Sequence, residues 1–170
     1  MKRNIFFTLS ISVLLLASLV FAQEGVEKMK LSSPDFADNE FIPKKFTCLG
    51  EDINPALIIE SIPKEAKSLV LIVDDPDAPM GTWVHWAVFN IPVISKIDAN
   101  SIPGEQAINS FGRENYGGPC PPFGIHRYFF KIYALDTELE PILIKDKVSL
   151  EEIMQTHILD SAELIGLFKK

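Results

Sequence analysis

Three acidic side chains stand together at the end of an apolar run, which is an unusual concentration of charge beside a buried strand. Residues 69–73 form the run, and Asp74, Asp75 and Asp77 follow it directly. The segment D-P-D-A-P is itself a good turn former, so a solvated turn explains some of these acids. It does not explain the indole and the imidazole that come next, at the start of the following apolar run. These two residues are Trp83 and His85.

A second histidine marks the start of another apolar run. His126 and Tyr128 stand at the beginning of residues 126–135. If this run and the runs 68–74 and 84–91 are antiparallel neighbours, the end of one strand and the starts of the other two lie at the same edge of the sheet. Two imidazoles, two carboxylates, an indole and a phenol would then meet at that edge.

Such a cluster suits the binding of an anion. Carboxylates that accept hydrogen bonds from the imidazoles would orient the rings and favour their charged form. The second N–H of each ring, the Tyr128 hydroxyl and the backbone N–H groups of the turn at Gly117 and Gly118 would then donate to one phosphate. The pattern therefore predicts a phosphate-sized anion site.

Three other interpretations of the same residues stay open. Each histidine could cap its own strand and each acid could build its own turn, with no joint site. The two histidines and two aspartates could instead hold a transition metal in a metal-dependent hydrolase. Cys120 could act as a nucleophile beside His126, although an exported thiol between prolines is more often bridged or inert.

The apolar runs indicate a mostly β fold. The strand candidates, rich in Ile, Val, Phe and Tyr, are residues 56–62, 68–74, 84–91 and 126–135. One helix is predicted from a capping box of Ser149 with Glu152, and His157 is interpreted as a packing residue within that helix. We expect residues 161–170 to form a closing strand. The predicted class is a β-sandwich with one or two small helices.

The first residues resemble a targeting segment. Lys2 and Arg3 precede an apolar stretch, so residues 1–22 predict a secretory signal peptide with cleavage after Ala22. We therefore expect a periplasmic or secreted protein whose mature part, 23–170, is a single domain. The formal net charge is −7, and it becomes −9 in the mature part because the leader carries two cations and no acid. This charge argues against nucleic acid, and no stable membrane insertion is expected after processing.

The chain contains two cysteines, Cys48 and Cys120. In an exported protein such a pair is more often bridged than reduced, so the two are a disulfide candidate. Two buried thiols are the alternative, because the sequence does not show that the residues meet.

Three segments together resemble a known family. They read "FIPKKFTCLGEDINPAL", "DDPDAPMGTWVHW" and "NYGGPCPPFGIHRYFFKIYALD", in this order along the chain. In this combination the chain resembles the phosphatidylethanolamine-binding protein (PEBP) family, and in particular its bacterial branch, which is commonly labelled Raf kinase inhibitor-like. The resemblance runs from about Met29 to Phe168.

The resemblance implies a PEBP-like β-sandwich with a small surface pocket for phosphate or a phosphoryl head group. It implies a non-catalytic binding protein without cofactor or metal, in which inhibition of a protein partner is a second role. It also implies a cis bond between Ala78 and Pro79. The ligand-binding residues that it implies are Asp75, Asp77, Trp83, His85, Gly118, Pro119, His126 and Tyr128.

Overall fold

The structure, a computed structural model, describes residues 27–170. The predicted signal peptide, 1–22, lies outside the described residues and stays a prediction. The strands are β1 (Lys30–Ser32), β2 (Glu40–Phe41), β3 (Leu57–Glu60), β4 (Ser68–Asp75), β5 (Trp83–Ile91), β6 (Lys96–Ile97), β7 (Glu105–Gln106), β8 (His126–Leu135) and β9 (Ile158–Phe168). One α-helix, α1 (Lys147–Met154), and two short 3-10 turns (Lys44–Phe46 and Pro141–Leu143) complete these elements. The mostly β class is confirmed.

The strands form two sheets. The small sheet has the order β1-β3-β6, and the large sheet has the order β2-β9-β8-β4-β5-β7. Neighbouring strands are antiparallel except for β2, which runs parallel to β9. Side chains from both sheets share one apolar core, so the expected sandwich is confirmed. Within residues 27–170, no helix is long and apolar enough to span a membrane.

The large sheet is covered on both of its faces, which explains the unbroken apolar run in β4. All eight residues of β4 are buried. Leu71 and Val73 belong to the core between the sheets, whereas Val70 and Ile72 belong to a second core under α1. A strand buried on both faces has no polar side to alternate with its apolar one.

Asp74 faces the helix side of the large sheet, away from its neighbour Asp75, because successive residues of a strand point to opposite faces. Its carboxylate lies 2.9 Å from Nζ of Lys131 and 3.6 Å from Nζ of Lys147. A buried carboxylate needs such counter-charges to offset its lost hydration. Of the three clustered acids, Asp74 is therefore the one that is paired with two lysines on the helix side of the sheet.

The helix cap lies three residues before the predicted one. Asp146 is the N-cap, and its carboxylate accepts a 3.0 Å hydrogen bond from the Ser149 backbone N–H. The Ser149 hydroxyl accepts in return from the Asp146 N–H at 3.1 Å. Ser149 is thus the third residue of the helix and not its cap, so the predicted Ser149–Glu152 box is wrong. Serine can stand at the N-cap or, as here, at the third helical position, so the sequence pattern places the cap too late.

The helix also ends before His157, so the prediction that this residue packs within the helix is wrong. His157 follows α1 in a turn, is partly exposed, and has its Nδ1 2.8 Å from the Asp136 carboxylate. The chain then enters β9, which confirms the expected closing strand.

Cys48 and Cys120 are joined by a disulfide, with their Cα atoms 5.5 Å apart. The bridge fastens the segment before β8 to the loop that follows the first 3-10 turn. It closes a loop of 72 positions, which in the chain-entropy model restrains the unfolded chain by about 4 kcal/mol.

The disulfide predicts a reductant-dependent stability. In denaturant without reductant, a thiol reagent should leave Cys48 and Cys120 unmodified, and reductant should expose both and lower the urea midpoint of unfolding. A Cys48→Ala, Cys120→Ala double variant is the control, because its midpoint should be the same with and without reductant. Labelling of both thiols before reduction would contradict the bridge.

The corrected helix cap predicts which substitutions weaken α1. Asp146→Ala should lower the free energy of unfolding by about 1 kcal/mol, because it leaves a helix N–H without its acceptor. Glu152→Ala, on the exposed side of the helix, should change it by much less. Urea denaturation of both variants compares them, and equal losses would favour the Ser149–Glu152 box instead.

Candidate functional site

Asp75 is the carboxylate around which the site is arranged. Its Oδ2 lies 2.7 Å from Nδ1 of His126, and its Oδ1 accepts a 2.8 Å hydrogen bond from the Asp77 backbone N–H. Both side chains of the Asp75–His126 pair are buried. One carboxylate therefore orients an imidazole and also starts the turn that leaves β4. The carboxylate–imidazole contact expected from the sequence is present for His126.

Strand alternation places His126 and Tyr128 on the cavity side of β8. Residues two apart in a strand share a face, and Tyr128 and Phe130 both belong to the core between the sheets. The intervening Arg127 points to the other side. The end of β4 and the starts of β5 and β8 lie at one edge, since Asp75 pairs with Trp83 and Asp74 pairs with Phe129. The predicted convergence of three strand ends is therefore observed.

His85 reaches the site through an irregularity in β5. Val73 pairs with Trp86 and Asp74 pairs with Val84, so His85 is an extra residue between the two pairs. Such a bulge redirects a side chain. In a regular strand His85 and Trp86 would face opposite sides, whereas here both lie on the side of the core between the sheets.

A backbone carbonyl, and not a carboxylate, orients the His85 ring. Its Nδ1 lies 2.6 Å from the Gly117 carbonyl oxygen, and the Gly117 N–H donates to the His85 carbonyl at 3.1 Å. This contact differs from the expectation that Asp75 or Asp77 holds both rings. Because a carbonyl only accepts, Nδ1 of His85 carries the hydrogen and Nε2 is the ring nitrogen left for the cavity.

Gly118 and Pro119 position the cavity wall from behind and do not line it. The Gly118 N–H donates to Oδ1 of Asp52 at 2.7 Å, and the Pro119 carbonyl accepts from the Cys48 N–H at 3.2 Å. A Cβ on Gly118 would come within 2.5 Å of the Asp52 carboxylate and 2.6 Å of the Phe46 carbonyl. This close backbone approach requires glycine, and it directs the N–H away from the expected ligand.

Asp77 also lies outside the cavity lining. It forms a two-pronged pair with Arg127, in which Nε donates at 2.9 Å and the second guanidinium nitrogen at 2.7 Å. These hydrogen bonds lower the pKa of the Asp77 carboxyl to about 2. Asp77 therefore fastens the turn after β4 to the first residues of β8. Every peptide bond within residues 27–170 is trans, so the expected cis bond between Ala78 and Pro79 is wrong.

The remaining predicted residues surround one cavity of about 300 Å³. Its floor and polar wall contain the two imidazoles, the Asp75 carboxylate and the Tyr128 phenol. Its mouth is apolar. The lining residues are Asp75, Ala78, Pro79, Met80, Trp83, His85, Phe111, Cys120, Pro121, Pro122, His126 and Tyr128. Five of the eight predicted ligand-binding residues thus line the cavity, and Asp77, Gly118 and Pro119 support it.

The Tyr128 hydroxyl is a buried polar group that makes no hydrogen bond of good geometry within residues 27–170, although the Asp75 carboxylate and the Cys120 backbone N–H lie close enough to affect its pKa. Burial raises the pKa of Tyr128, and the nearby Asp75 carboxylate acts in the same direction. The phenol therefore stays protonated and offers a hydrogen-bond donor at neutral pH. Burial lowers the pKa of His85, against the opposing influence of the Gly117 carbonyl and the Asp75 carboxylate.

Sequence analysis missed two residues that shape the cavity. Phe111 packs edge-on against both Trp83 and His85, with ring centroids 5.4 and 5.5 Å apart. Asn109 holds the loop that carries Phe111, because its Oδ1 accepts from the Phe111 N–H at 3.0 Å while its Nδ2 donates to the Asn115 carbonyl at 2.7 Å. An asparagine two residues before an aromatic is only a weak turn signal, so the sequence offered little to find them.

The chain is similar to known proteins of one family. A profile described as phosphatidylethanolamine-binding protein matches residues 32–169. A UPF0098 protein of Pyrococcus horikoshii is 49% identical over 159 residues, which cover 86% of this chain and 80% of the relative. A UPF0098 protein of Aquifex aeolicus is 45% identical over 154 residues, covering 84% of this chain and 89% of the relative.

Two crystal structures have the same fold. A PEBP homologue from Chlamydia trachomatis superposes with a TM-score of 0.81 at 43% identity, over 84% of this chain and 98% of the other. YbcL of E. coli, described as a new member of the mammalian PEBP family, gives a TM-score of 0.77 at 26% identity, over 85% and 99% of the two chains. The family match spans both sheets and every residue of the cavity. The chain therefore belongs to the phosphatidylethanolamine-binding protein family.

Proposed function

We propose that the protein is an exported, non-catalytic binding protein whose cavity holds a small anion, either phosphate or a phosphoryl head group. The observation that carries this proposal is the buried Tyr128 hydroxyl, which makes no hydrogen bond of good geometry in the described part of the chain and faces the cavity. A buried hydroxyl without a hydrogen bond costs free energy that a ligand oxygen would recover. The Nε2 atoms of His85 and His126 are further polar contacts at the same cavity.

The chemistry of the lining favours binding over catalysis. Cys120 is the thiol nearest to the histidines in sequence, but its sulfur is in the disulfide. Both oxygens of Asp75 already contact protein groups, the Asp77 N–H and the His126 ring, which makes this carboxylate a weaker nucleophile or base than an unpaired one. The described lining residues include no serine, threonine or lysine that could take that role.

The same contacts weigh against a metal-dependent hydrolase. Within residues 27–170, no three or more His, Cys, Asp or Glu side chains form a group suited to a metal ion. Asp77, one of the four ligands that the hydrolase requires, is held by Arg127 outside the cavity.

The exposed apolar rim favours a phosphoryl group attached to an apolar body. Met80 is 96% exposed and Phe123 is 70% exposed, and both stand beside the cavity or its His126 wall. Exposed apolar side chains grouped around a polar pocket are typical of a contact surface. Inhibition of a protein partner, the second part of the proposal, would use this same rim.

Tyr128→Phe is the sharpest test of the anion site. It removes the unpartnered hydroxyl and should weaken phenyl phosphate binding by about ten- to a hundredfold, the worth of a hydrogen bond to a charged group. Thermal stability should stay the same or rise, because no protein hydrogen bond is lost. Calorimetric titration with and without a chelator measures the affinity and tests the metal alternative directly.

Tyr133→Phe is the matched control for this test, because Tyr133 packs on the helix side of the large sheet. It should leave the affinity unchanged. His126→Ala should weaken binding by about the same factor as Tyr128→Phe, since it removes a charge-assisted contact. Equal affinities of wild type, Tyr128→Phe and His126→Ala would show that the cavity is not the anion site.

Export predicts a processed N-terminus. Mass spectrometry of the protein recovered from its producing cells should find a mature chain that begins at Gln23, because residues 1–22 have the charge and apolar pattern of a cleaved leader. An intact chain that starts at Met1 would contradict the export proposal. The disulfide is compatible with an oxidising compartment and supports the same expectation.

A further inference from the structure

The cavity contains no fixed positive charge to balance an anion. Its ionisable lining residues, among those described, are the carboxylate of Asp75, the imidazoles of His85 and His126, and the phenol of Tyr128. With neutral rings the cavity carries the single negative charge of Asp75. Protons on the imidazoles are the positive charge that this lining can offer an anion, because no lysine or arginine among residues 27–170 lines the cavity.

The two imidazoles differ in how they can hold such a proton. Nδ1 of His126 lies 2.7 Å from the Asp75 carboxylate, so a charge on this ring is compensated within the protein before a ligand arrives. Nδ1 of His85 lies 2.6 Å from the neutral Gly117 carbonyl, so a charge on His85 has no directly bonded counter-charge. The ligand is therefore the missing partner of His85.

The neutral state of free His85 follows from its surroundings. The side chain is only 3% exposed and packs edge-on against the rings of Phe111 and Tyr128. Burial lowers its pKa more than the carboxylates of Asp75, Asp74 and Asp52 raise it. The hydrogen of the neutral ring is on Nδ1, so Nε2 meets a ligand as a hydrogen-bond acceptor.

A neutral His85 and an unprotonated anion oxygen would therefore repel each other, because both accept hydrogen bonds. One proton between them resolves the conflict and gives a charge-assisted hydrogen bond. An anion that accepts a hydrogen bond from Nε2 also raises the pKa of the ring, because a nearby opposite charge favours its protonated form.

We propose that the cavity binds a phosphoryl anion together with one proton, which lies on Nε2 of His85 and hydrogen-bonds to the anion. A phosphodiester takes this proton from water, whereas a phosphomonoester in its singly charged form brings its own. The inference rests on the proposed anion-binding function and adds that this function is coupled to proton uptake. As pH rises through the range in which bound but not free His85 is protonated, affinity should fall by up to tenfold per pH unit, the limit for one proton.

The test uses methyl phenyl phosphate, a diester whose own charge does not change near neutral pH. Calorimetric titrations of the full protein at pH 7.5, in two buffers of different ionisation enthalpy, count the protons taken up. We expect a net uptake of up to one proton, and weaker binding at pH 8.5 than at pH 7.5. Phenyl phosphate, titrated in parallel, shows whether a monoester obeys the same dependence.

The variants assign the proton to one ring. His85→Gln replaces Nε2 by an amide that donates without titrating, so uptake should vanish and affinity should become nearly independent of pH. His157→Gln is the matched control, because His157 pairs with Asp136 on the surface and should leave uptake unchanged. Uptake that survives His85→Gln and is lost in His126→Gln would overturn the assignment.

A wild-type measurement covers the case in which His85→Gln does not fold. The chain has three histidines, so ¹⁵N NMR can follow each ring, and Nε2 of His85 should change from an acceptor to a protonated nitrogen when the diester binds. Diester binding without proton uptake, or with an unchanged His85 signal, overturns the inference but leaves the anion site intact. Failure of both phosphates to bind between pH 5 and 8 overturns both proposals.

Discussion

The antiparallel pairing of β4 with both β5 and β8 is the constraint on which the rest of the structure depends. It brings the end of one strand and the starts of two others to the same edge, where Asp75, His85 and His126 meet. Because β4 ends in two acids with different partners on its two faces, a shift of one residue would separate Asp74 from its lysines and Asp75 from His126. The energy that holds the sandwich together therefore also holds the cavity, and the surrounding loops only complete it.

The two faces of the large sheet divide the charge between them. On the helix face, Lys131 and Lys147 neutralise the buried Asp74. On the cavity face, Asp75 has only imidazole and backbone donors. Adjacent acids in one strand thus have opposite environments, one with permanent cations and one with titratable rings. The proposed coupling of anion binding to proton uptake depends on this difference.

Local patterns were sufficient for the main strands and for the polar edge, and they failed where the outcome depended on distant partners. The apolar runs predicted β4, β5 and β8, and strand alternation placed His126 and Tyr128 correctly. The His85 bulge arises from pairing with another strand, and its Gly117 contact joins residues 32 positions apart. The sequence predicts Asp77 as a cavity residue because it stands beside Asp75. The pair that it forms with Arg127, 50 positions later, is not visible in the sequence. The helix cap failed for a local reason, since Ser149 suits two positions of the same motif.

The two outermost strands of the large sheet, β2 on one side and β7 on the other, have only two residues each. Each of these strands also carries an exposed glutamate, Glu40 or Glu105. Long, flat and apolar edges invite a second chain to add its own strand and begin aggregation. Here each outermost strand offers an approaching copy two residues to pair with and a like charge beside them. These short, charged strands therefore limit the addition of a further strand at the two positions where β2 and β7 lie.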